Sequence, residues 1–339
     1  MKEVAVVSGV SISTVSRVLS GDTAVKADRV TRVLDAVELL GYQRNDVAST
    51  LRRADRGSAS IGLILEDVAN PFFSAVHRGV EDIARPHGVV TLAGSSDEDP
   101  EQERRLAAAF TARRVDGLIV VPAGDDHAYL LRERAAGMPL VFLDRPPRLL
   151  ESDTVLTDNA GGARLAIEHL LATGHRRIAF LGGREPIHTA TERRSGYLDA
   201  LRDHAIAVPS ELVCTDLHDA AAARQAARTL LLEPDPPSAI FSAQNLLTIG
   251  ALRALHELAA QHTVAHVGFD DIPLSDVVDP GLTVVAQDPY ALGRTAAELL
   301  FGRLRGDQGP YRHVVLSTTL IARGSGELPA PPPARTRAP

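Results

Sequence analysis

Two sets of side chains in this 339-residue sequence have the types and spacing to do chemistry. The first is a run of hydroxyls leading to a guanidinium, Val10-Ser11-Ile12-Ser13-Thr14-Val15-Ser16-Arg17-Val18-Leu19-Ser20. Hydroxyls such as those of Thr14 and Ser16 suit phosphate oxygens, and an arginine such as Arg17 can offer two N–H donors to a pair of acceptors. Taken alone, the run also fits any capped amphipathic helix. The second set follows apolar runs: Asp144-Arg145, Asp270 and Gln287, joined by Arg193 and Gln244 from loops and helix starts and by the pair Phe72-Phe73. A carboxylate beside a guanidinium makes two-point contacts to neighbouring hydroxyls, and an aromatic ring stacks on a sugar or base face. The plainer alternatives are Asp270 as a loop cap, Arg145 paired with a surface acid, and one of the two phenylalanines in the core.

Catalytic chemistry has little support. No Gly-x-Gly-x-x-Gly follows a strand, and neither a Gly-x-x-x-x-Gly-Lys-Ser/Thr loop nor a Gly-x-Ser-x-Gly turn occurs. His262 and His266 have helical i, i+4 spacing but no glutamate between them and no cysteine nearby, so they read as scattered surface histidines rather than metal ligands. No enzyme activity, metal or cofactor is expected. The lone cysteine, Cys214, reads as a buried small hydrophobe in a strand.

The elements that must hold these groups separate by pattern. Residues 1–53 read as short helices: apolar Val30, Val33, Leu34, Val37 and Leu40 recur at helical spacing between Lys26 and Gly41. Asp55-Arg56-Gly57-Ser58-Ala59-Ser60 reads as a linker. Beyond it, apolar runs at Ile61–Leu65, Val89–Ala93, Gly117–Val121, Leu140–Leu143, Ile178–Leu181, Ala239–Ser242 and Val264–Phe269 alternate with helical stretches such as Phe73–Arg85, Glu101–Arg113, Gly161–Ala172 and Asn245–Leu258. That alternation predicts α/β architecture with mostly parallel sheets covered on both faces. The tail from Pro329 to Pro339 holds five prolines and reads as disordered.

Charge is uneven. Residues 1–60 carry nine Lys and Arg against seven Asp and Glu, a net +2, which leaves −9 for the rest of a chain totalling −7. A weakly basic head on an acidic body is what phosphate contact confined to the head requires. No apolar run reaches the roughly 18 residues that would span a bilayer, and the start, Met1-Lys2-Glu3-Val4-Ala5, has no secretory pattern. The expected location is the cytoplasm, with no membrane partner.

The Val10–Ser20 run resembles the recognition helix of the lactose-repressor (LacI/GalR) family. Leu40-Gly41-Tyr42-Gln43-Arg44-Asn45 is similar to the family's LGYxPN element, and Val47–Leu51 to its hinge helix. Ile61-Gly62-Leu63-Ile64-Leu65-Glu66, Asn70-Pro71-Phe72-Phe73, Val115–Ile119, Gly174–Gly183 and Gly268–Pro273 resemble the type I periplasmic-binding-protein fold, so the likeness covers nearly the whole chain. It implies an all-α helix-turn-helix head (1–44), a hinge helix and linker (45–60), and a two-lobed sensor of two doubly wound parallel sheets (61–328). The N-lobe would take about 61–157 and 288–316, the C-lobe about 158–287 and 317–326, with a disordered tail at 329–339.

In residues, the resemblance implies DNA contacts from Ile12, Ser13, Thr14, Ser16, Arg17, Ser20, Tyr42, Asn45, Ala48 and Leu51, with Leu51 as a minor-groove wedge. It implies an effector site at Phe72, Phe73, Asp144, Arg145, Thr189, Arg193, Gln244, Asp270 and Gln287. The expected protein is a transcription regulator, a repressor, that binds palindromic operator DNA as a homodimer or tetramer under control of a sugar, sugar derivative or nucleoside. Three departures stand out. Arg44 replaces the family proline, Gln244-Asn245 replaces the family Asn-Asp, and no side-chain cap precedes helix one, an omission that costs about 1 kcal/mol. A start upstream of Met1 would supply that cap. Rival readings are a secreted sugar-binding protein, a nicotinamide-dependent oxidoreductase and a regulator that has lost its effector.

Overall fold

Val4 and Ala5 on one helix, Val15 and Val18 on a second, and Val33 and Ala36 on a third close a small apolar core. The helices are α1 (Lys2–Ser8), α2 (Ile12–Leu19) and α3 (Ala27–Leu39). They belong to Met1–Ser58, one of two units into which the chain divides; the other is Ala59–Pro339. The computed structural model describes residues 1–19, 22, 24–42 and 58–332. The expected hinge helix, with Asn45, Ala48 and Leu51, lies outside the described residues, as does Ser20.

α1 ends at Gly9, whose φ of 63° is left-handed and free of the penalty a Cβ would bring. It starts at Met1 with no side-chain cap, as expected. The turn Gly9-Val10-Ser11 leads into α2, where the Ser11 hydroxyl accepts from the Thr14 N–H at 3.2 Å. Removing that cap with Ser11→Ala is expected to cost about 1 kcal/mol, read as a lower midpoint for the first thermal transition of the full chain. An unmoved midpoint would show that Ser11 does not cap α2. In α3 the apolar stripe is narrower than its periodicity suggests: Val33 and Ala36 are buried, whereas Leu34 and Leu40 are exposed.

The second unit is built on two six-stranded sheets. One takes β1 (Ser60–Leu65), β2 (Val90–Ser95), β3 (Leu118–Val120), β4 (Leu140–Leu143), β5 (Asp153–Thr157) and β11 (His313–Leu316). The other takes β6 (Ile178–Leu181), β7 (Val213–Cys214), β8 (Ala239–Ser242), β9 (Ala265–Phe269), β10 (Thr283–Ala286) and β12 (Thr319–Ile321). The sheets repeat one order, β2-β1-β3-β4-β5-β11 and β7-β6-β8-β9-β10-β12. All pairings are parallel except β12 against β10. In this doubly wound order the strand sequence reverses between the first and third strands, and the crevice outside the carboxyl ends is where ligands bind.

Helices cover both faces of each sheet, which is why β1, β3, β4, β6 and β8 read as near-continuous apolar runs. On one face α4 (Pro71–Ala84) packs against α11 (Pro289–Leu304). Their approach is set by Gly79 and Gly293: a Cβ on Gly79 would strike the Tyr290 carbonyl, and one on Gly293 the Val76 carbonyl. The opposite face carries α5 (Pro100–Ala112). The second sheet is covered by α7 (Asn159–Ala172) and α8 (His188–Asp203) on one side, with α9 (Ala220–Leu231) and α10 (Asn245–Glu257) on the other. A short α6 (Leu131–Ala135) lies between β3 and β4.

Several expectations are corrected here. Strands β5, β10, β11 and β12 lie outside the expected apolar runs: each is short and begins with a polar residue, Asp153, Thr283, His313 or Thr319. Cys214 is half-buried at the edge of its sheet rather than fully buried. His262 and His266 do not share a helix. His266 lies in β9, 1% exposed, and burial pushes its imidazole down to about 3, while His262 is exposed beside Asp279. The chain after Pro329 is not wholly loose, since the Ala330 N–H donates to the Thr173 carbonyl. Among the described residues no helix is long and apolar enough to cross a membrane.

Candidate functional site

The carboxyl ends of the two sheets face each other across a cleft, with about 650 Å³ of empty space open to solvent. Phe72, Phe73, Asp144, Arg145, Thr189, Arg193, Gln244, Asp270 and Gln287 all line it. Asp144 directly follows β4 and Asp270 directly follows β9, and each has a left-handed backbone (φ 66° and 74°). Asp tolerates that conformation far better than most side chains. The repeated sheet order thus delivers two carboxylates to matching places, one from each sheet.

Phe72 and Phe73 meet edge to face with ring centroids 5.0 Å apart. Phe73 is buried in the core of the first sheet, while Phe72 stays half-exposed in the cleft wall. Thr189 and Arg193 are four residues apart on one face of α8, so Arg193 projects from inside that helix rather than from its start. Its Nε donates to Asn159 Oδ1 and its Nη1 to the Ala243 carbonyl, each at 2.7 Å. The guanidinium lies 3.9 Å from the Phe269 ring centroid, a cation–π contact. Burial pulls its pKa below the usual arginine value, with Asp270 and Asp144 opposing.

Asp270 does more than cap a loop. Its Oδ2 accepts from the Asn245 N–H at 3.2 Å and its Oδ1 from Gln287 Nε2. Burial pushes its carboxyl up, against the pull of Arg193. Arg145 pairs with acids, but with buried ones: its Nη2 bonds both Glu66 and Glu98, and its Nη1 donates to the Pro122 carbonyl at 3.0 Å. Asp144 Oδ2 lies 3.6 Å from Arg145 Nε, which makes no hydrogen bond. Gln244 sits at the N-cap of α10 without capping it, and its side-chain oxygen is buried with no partner.

Sequence reasoning did not assign Glu66, Asn70, Glu98 or Arg184 to the site, and it named Asn245 only as a departure from the family. Glu66 stands at the end of β1, where the strand-end rule points. Glu98 and Arg184 approach to 3.4 Å and Asn245 donates to Asn70 at 2.7 Å, so both pairs join the two lobes across the cleft. Burial pushes the Glu66 carboxyl up to about 7; Arg145 opposes the rise, and Glu98 and Asp144 add to it. A raised carboxyl contributes stability that is fully present below the ordinary carboxylate value and lost as pH climbs to about 7. Glu66→Gln removes that loss. The variant is expected to outmelt the parent at pH 8, with the gap closing toward pH 5, measured by thermal unfolding across that range. A pH-independent gap would mean Glu66 does not titrate there.

On α2, Val15 and Val18 face the head's core while Ile12, Ser13 and Arg17 are exposed and Thr14 and Ser16 half-exposed. Arg17 Nε donates to Asp22 Oδ2 at 2.8 Å, with the arginine side chain 55% exposed. Tyr42 packs partly buried against the head's core.

Comparison with known proteins agrees along nearly the full chain. The family described as bacterial regulatory proteins, lacI family, matches residues 1–45, and a periplasmic binding protein-like domain matches residues 167–326. The HTH-type transcriptional regulator PtxS of Pseudomonas plecoglossicida is 36% identical over 341 residues, covering 96% of this chain and 95% of that one. Among solved structures, the lac repressor dimer bound to operator and the anti-inducer ONPF aligns with a TM-score of 0.82 at 27% identity, over 95% of this chain and 97% of that one. A LacI family transcriptional regulator from Enterococcus faecium with bound ribose aligns at 0.70 and 28% identity, over 78% and 98%. The three described helices of the head, two sheets repeating one strand order and a relative alike over 96% of the chain have one reading: the chain belongs to the lacI family of bacterial regulatory proteins.

Proposed function

We propose that this regulator represses transcription in the cytoplasm by binding a palindromic operator as a homodimer, with its affinity set by a small hydroxyl-rich effector in the cleft. The observation that carries the reading is the cleft itself. Asp144, Asp270 and Arg193 converge from both lobes beside the half-exposed ring of Phe72, a set suited to hydroxyls and one flat face. A sugar, sugar derivative or nucleoside has that chemistry, and a relative solved with ribose bound supports it. The head supplies the other half. Ile12, Ser13 and Arg17 point away from the core of α2 as base contacts, with Thr14 and Ser16 as phosphate contacts. Ser20, Tyr42, Asn45, Ala48 and Leu51 complete the proposed DNA surface, residues 45–60 acting as hinge between the head (1–44) and the sensor (61–328).

A twofold dimer presents two recognition helices to two half-sites. An effector that favours one setting of the lobes changes operator affinity, and by linkage the operator changes effector affinity by the same factor. Offered a random duplex pool at moderate salt, the full-length chain is expected to enrich one palindrome. It should then release or tighten on it when a compound from a sugar and nucleoside library fills the cleft. Equal binding to all sequences would overturn the reading.

A further inference from the structure

The cleft is short of positive charge. Four carboxylates line it, Glu66, Glu98, Asp144 and Asp270, against the guanidiniums of Arg145, Arg184 and Arg193. Asp270 has Arg193 as its principal opposing charge. The other three crowd one cation: Glu66 and Glu98 both bond Arg145, and Asp144 lies 3.6 Å from the same guanidinium. Arg184 reaches only Glu98, at 3.4 Å, and its half-exposed side chain is open to screening by solvent and salt. Burying such a set is unfavourable unless a cation arrives or one acid takes up a proton. Without a ligand, Glu66 follows the second course, its carboxyl raised to about 7.

The missing cation is not a metal ion. Among the described residues no group of three His, Cys, Asp or Glu side chains is arranged to hold one. Nor do the two buried guanidiniums suit an anion, and the half-exposed Arg184 already faces Glu98. Arg145 has Nη2 on two carboxylates and Nη1 on a carbonyl, and Arg193 has Nε and Nη1 on Asn159 and Ala243. A carboxylate or phosphate on the ligand needs an open pair of guanidinium nitrogens and would meet these acids instead. The buried Arg145 Nε, which makes no hydrogen bond, still offers a donor to a ligand hydroxyl.

We propose that the effector is a hydroxyl-rich molecule bearing a protonated amine and no anionic group, an amino sugar or amino-nucleoside, with its ammonium among Glu66, Glu98 and Asp144. This deepens the effector reading above and rests on it. When the amine binds, Glu66 gives up its proton, and the cleft's four carboxylates then stand against four cations, the ammonium and the guanidiniums of Arg145, Arg184 and Arg193.

The test is calorimetric titration of the full-length protein with matched pools: neutral pentoses, hexoses and nucleosides, their amino counterparts, and their acid and phosphate counterparts. The amino pool is expected to bind at least about tenfold tighter than the neutral one, as a single buried charge pair allows, and the acid pool not at all. At pH 7 the amine's binding enthalpy should vary with the buffer's ionisation enthalpy, reporting the proton that Glu66 releases. Glu66→Gln should abolish both the buffer dependence and the preference for amines. Glu98→Gln, placed on a separate loop, should cut the same preference, so a folding defect in one variant leaves the question decidable. Neutral or acidic compounds binding as tightly as their amines would overturn this proposal while leaving the cleft as an effector site. Silence from every pool would overturn that wider reading as well.

Discussion

An Arg193→Ala chain is expected to lose its response to effector, with affinity for the compound falling by about 2–5 kcal/mol, roughly 30-fold to several thousandfold. The size follows from where the guanidinium sits. It is 5% exposed, its Nε and Nη1 hold Asn159 and the Ala243 carbonyl, and its face lies on the Phe269 ring. Ala243 precedes α10 and Asn159 opens α7, so one side chain fixes two edges of the cleft and also opposes the buried charge of Asp270. Truncation removes a ligand donor, strands two buried acceptors and leaves Asp270 without its main cation. Isothermal titration measures the affinity loss, and thermal unfolding measures how much of it comes from a loosened cleft. Arg193→Lys separates the two contributions, since lysine keeps the charge but lacks the planar fork that bonds Asn159 and Ala243 together. Parental affinity in Arg193→Ala would mean that the effector does not touch this part of the cleft.

The legible part of this site is the part that obeys strand-end logic. Runs such as Leu140–Leu143 and Ala265–Phe269 are apolar because helices cover both faces of their sheets, so the polar residue that ends each run marks a carboxyl end. Asp144 and Asp270 could be read off that way. Glu66 ends β1 by the same rule, yet nothing local distinguishes it from a solvated acid: its partner Arg145 is 79 residues away. Glu98 is less visible still, a loop acid whose partners Arg145 and Arg184 lie 47 and 86 residues further along the chain. In β5, Asp153 starts the strand with a buried carboxylate held by Arg303, 150 residues on, so the run lacks the apolar signature of its neighbours. Long-range pairing of charges overrides local pattern in all three cases. In the head the misreading has the opposite cause. Leu34 fits the helical period of α3, but the small core that the described residues of the head form leaves it 51% exposed.

Arg17→Ala is expected to erase the head's choice at one base pair of each half-site, worth about 1–3 kcal/mol. The guanidinium leaves α2 on the side away from Val15 and Val18, and it is the one long cationic side chain on that helix. Its neighbours Ile12, Ser13, Thr14 and Ser16 lack the two donors that a guanine's O6 and N7 require. In the free chain Arg17 is held by Asp22, whose carboxyl it keeps below the usual range through their hydrogen bond. That pair is exposed and contributes little to stability, so a guanine presenting O6 and N7 can displace it. The alanine variant should therefore bind its best palindrome more weakly and accept substitutions at one position, while its affinity for random duplex hardly moves. Thr14→Ala should differ in kind, weakening all sequences alike because a hydroxyl on phosphate positions the helix without reading bases. Competition binding against single-position operator variants distinguishes the two patterns. An Arg17→Ala chain that kept parental selectivity at every position would mean that sequence is read by side chains other than Arg17.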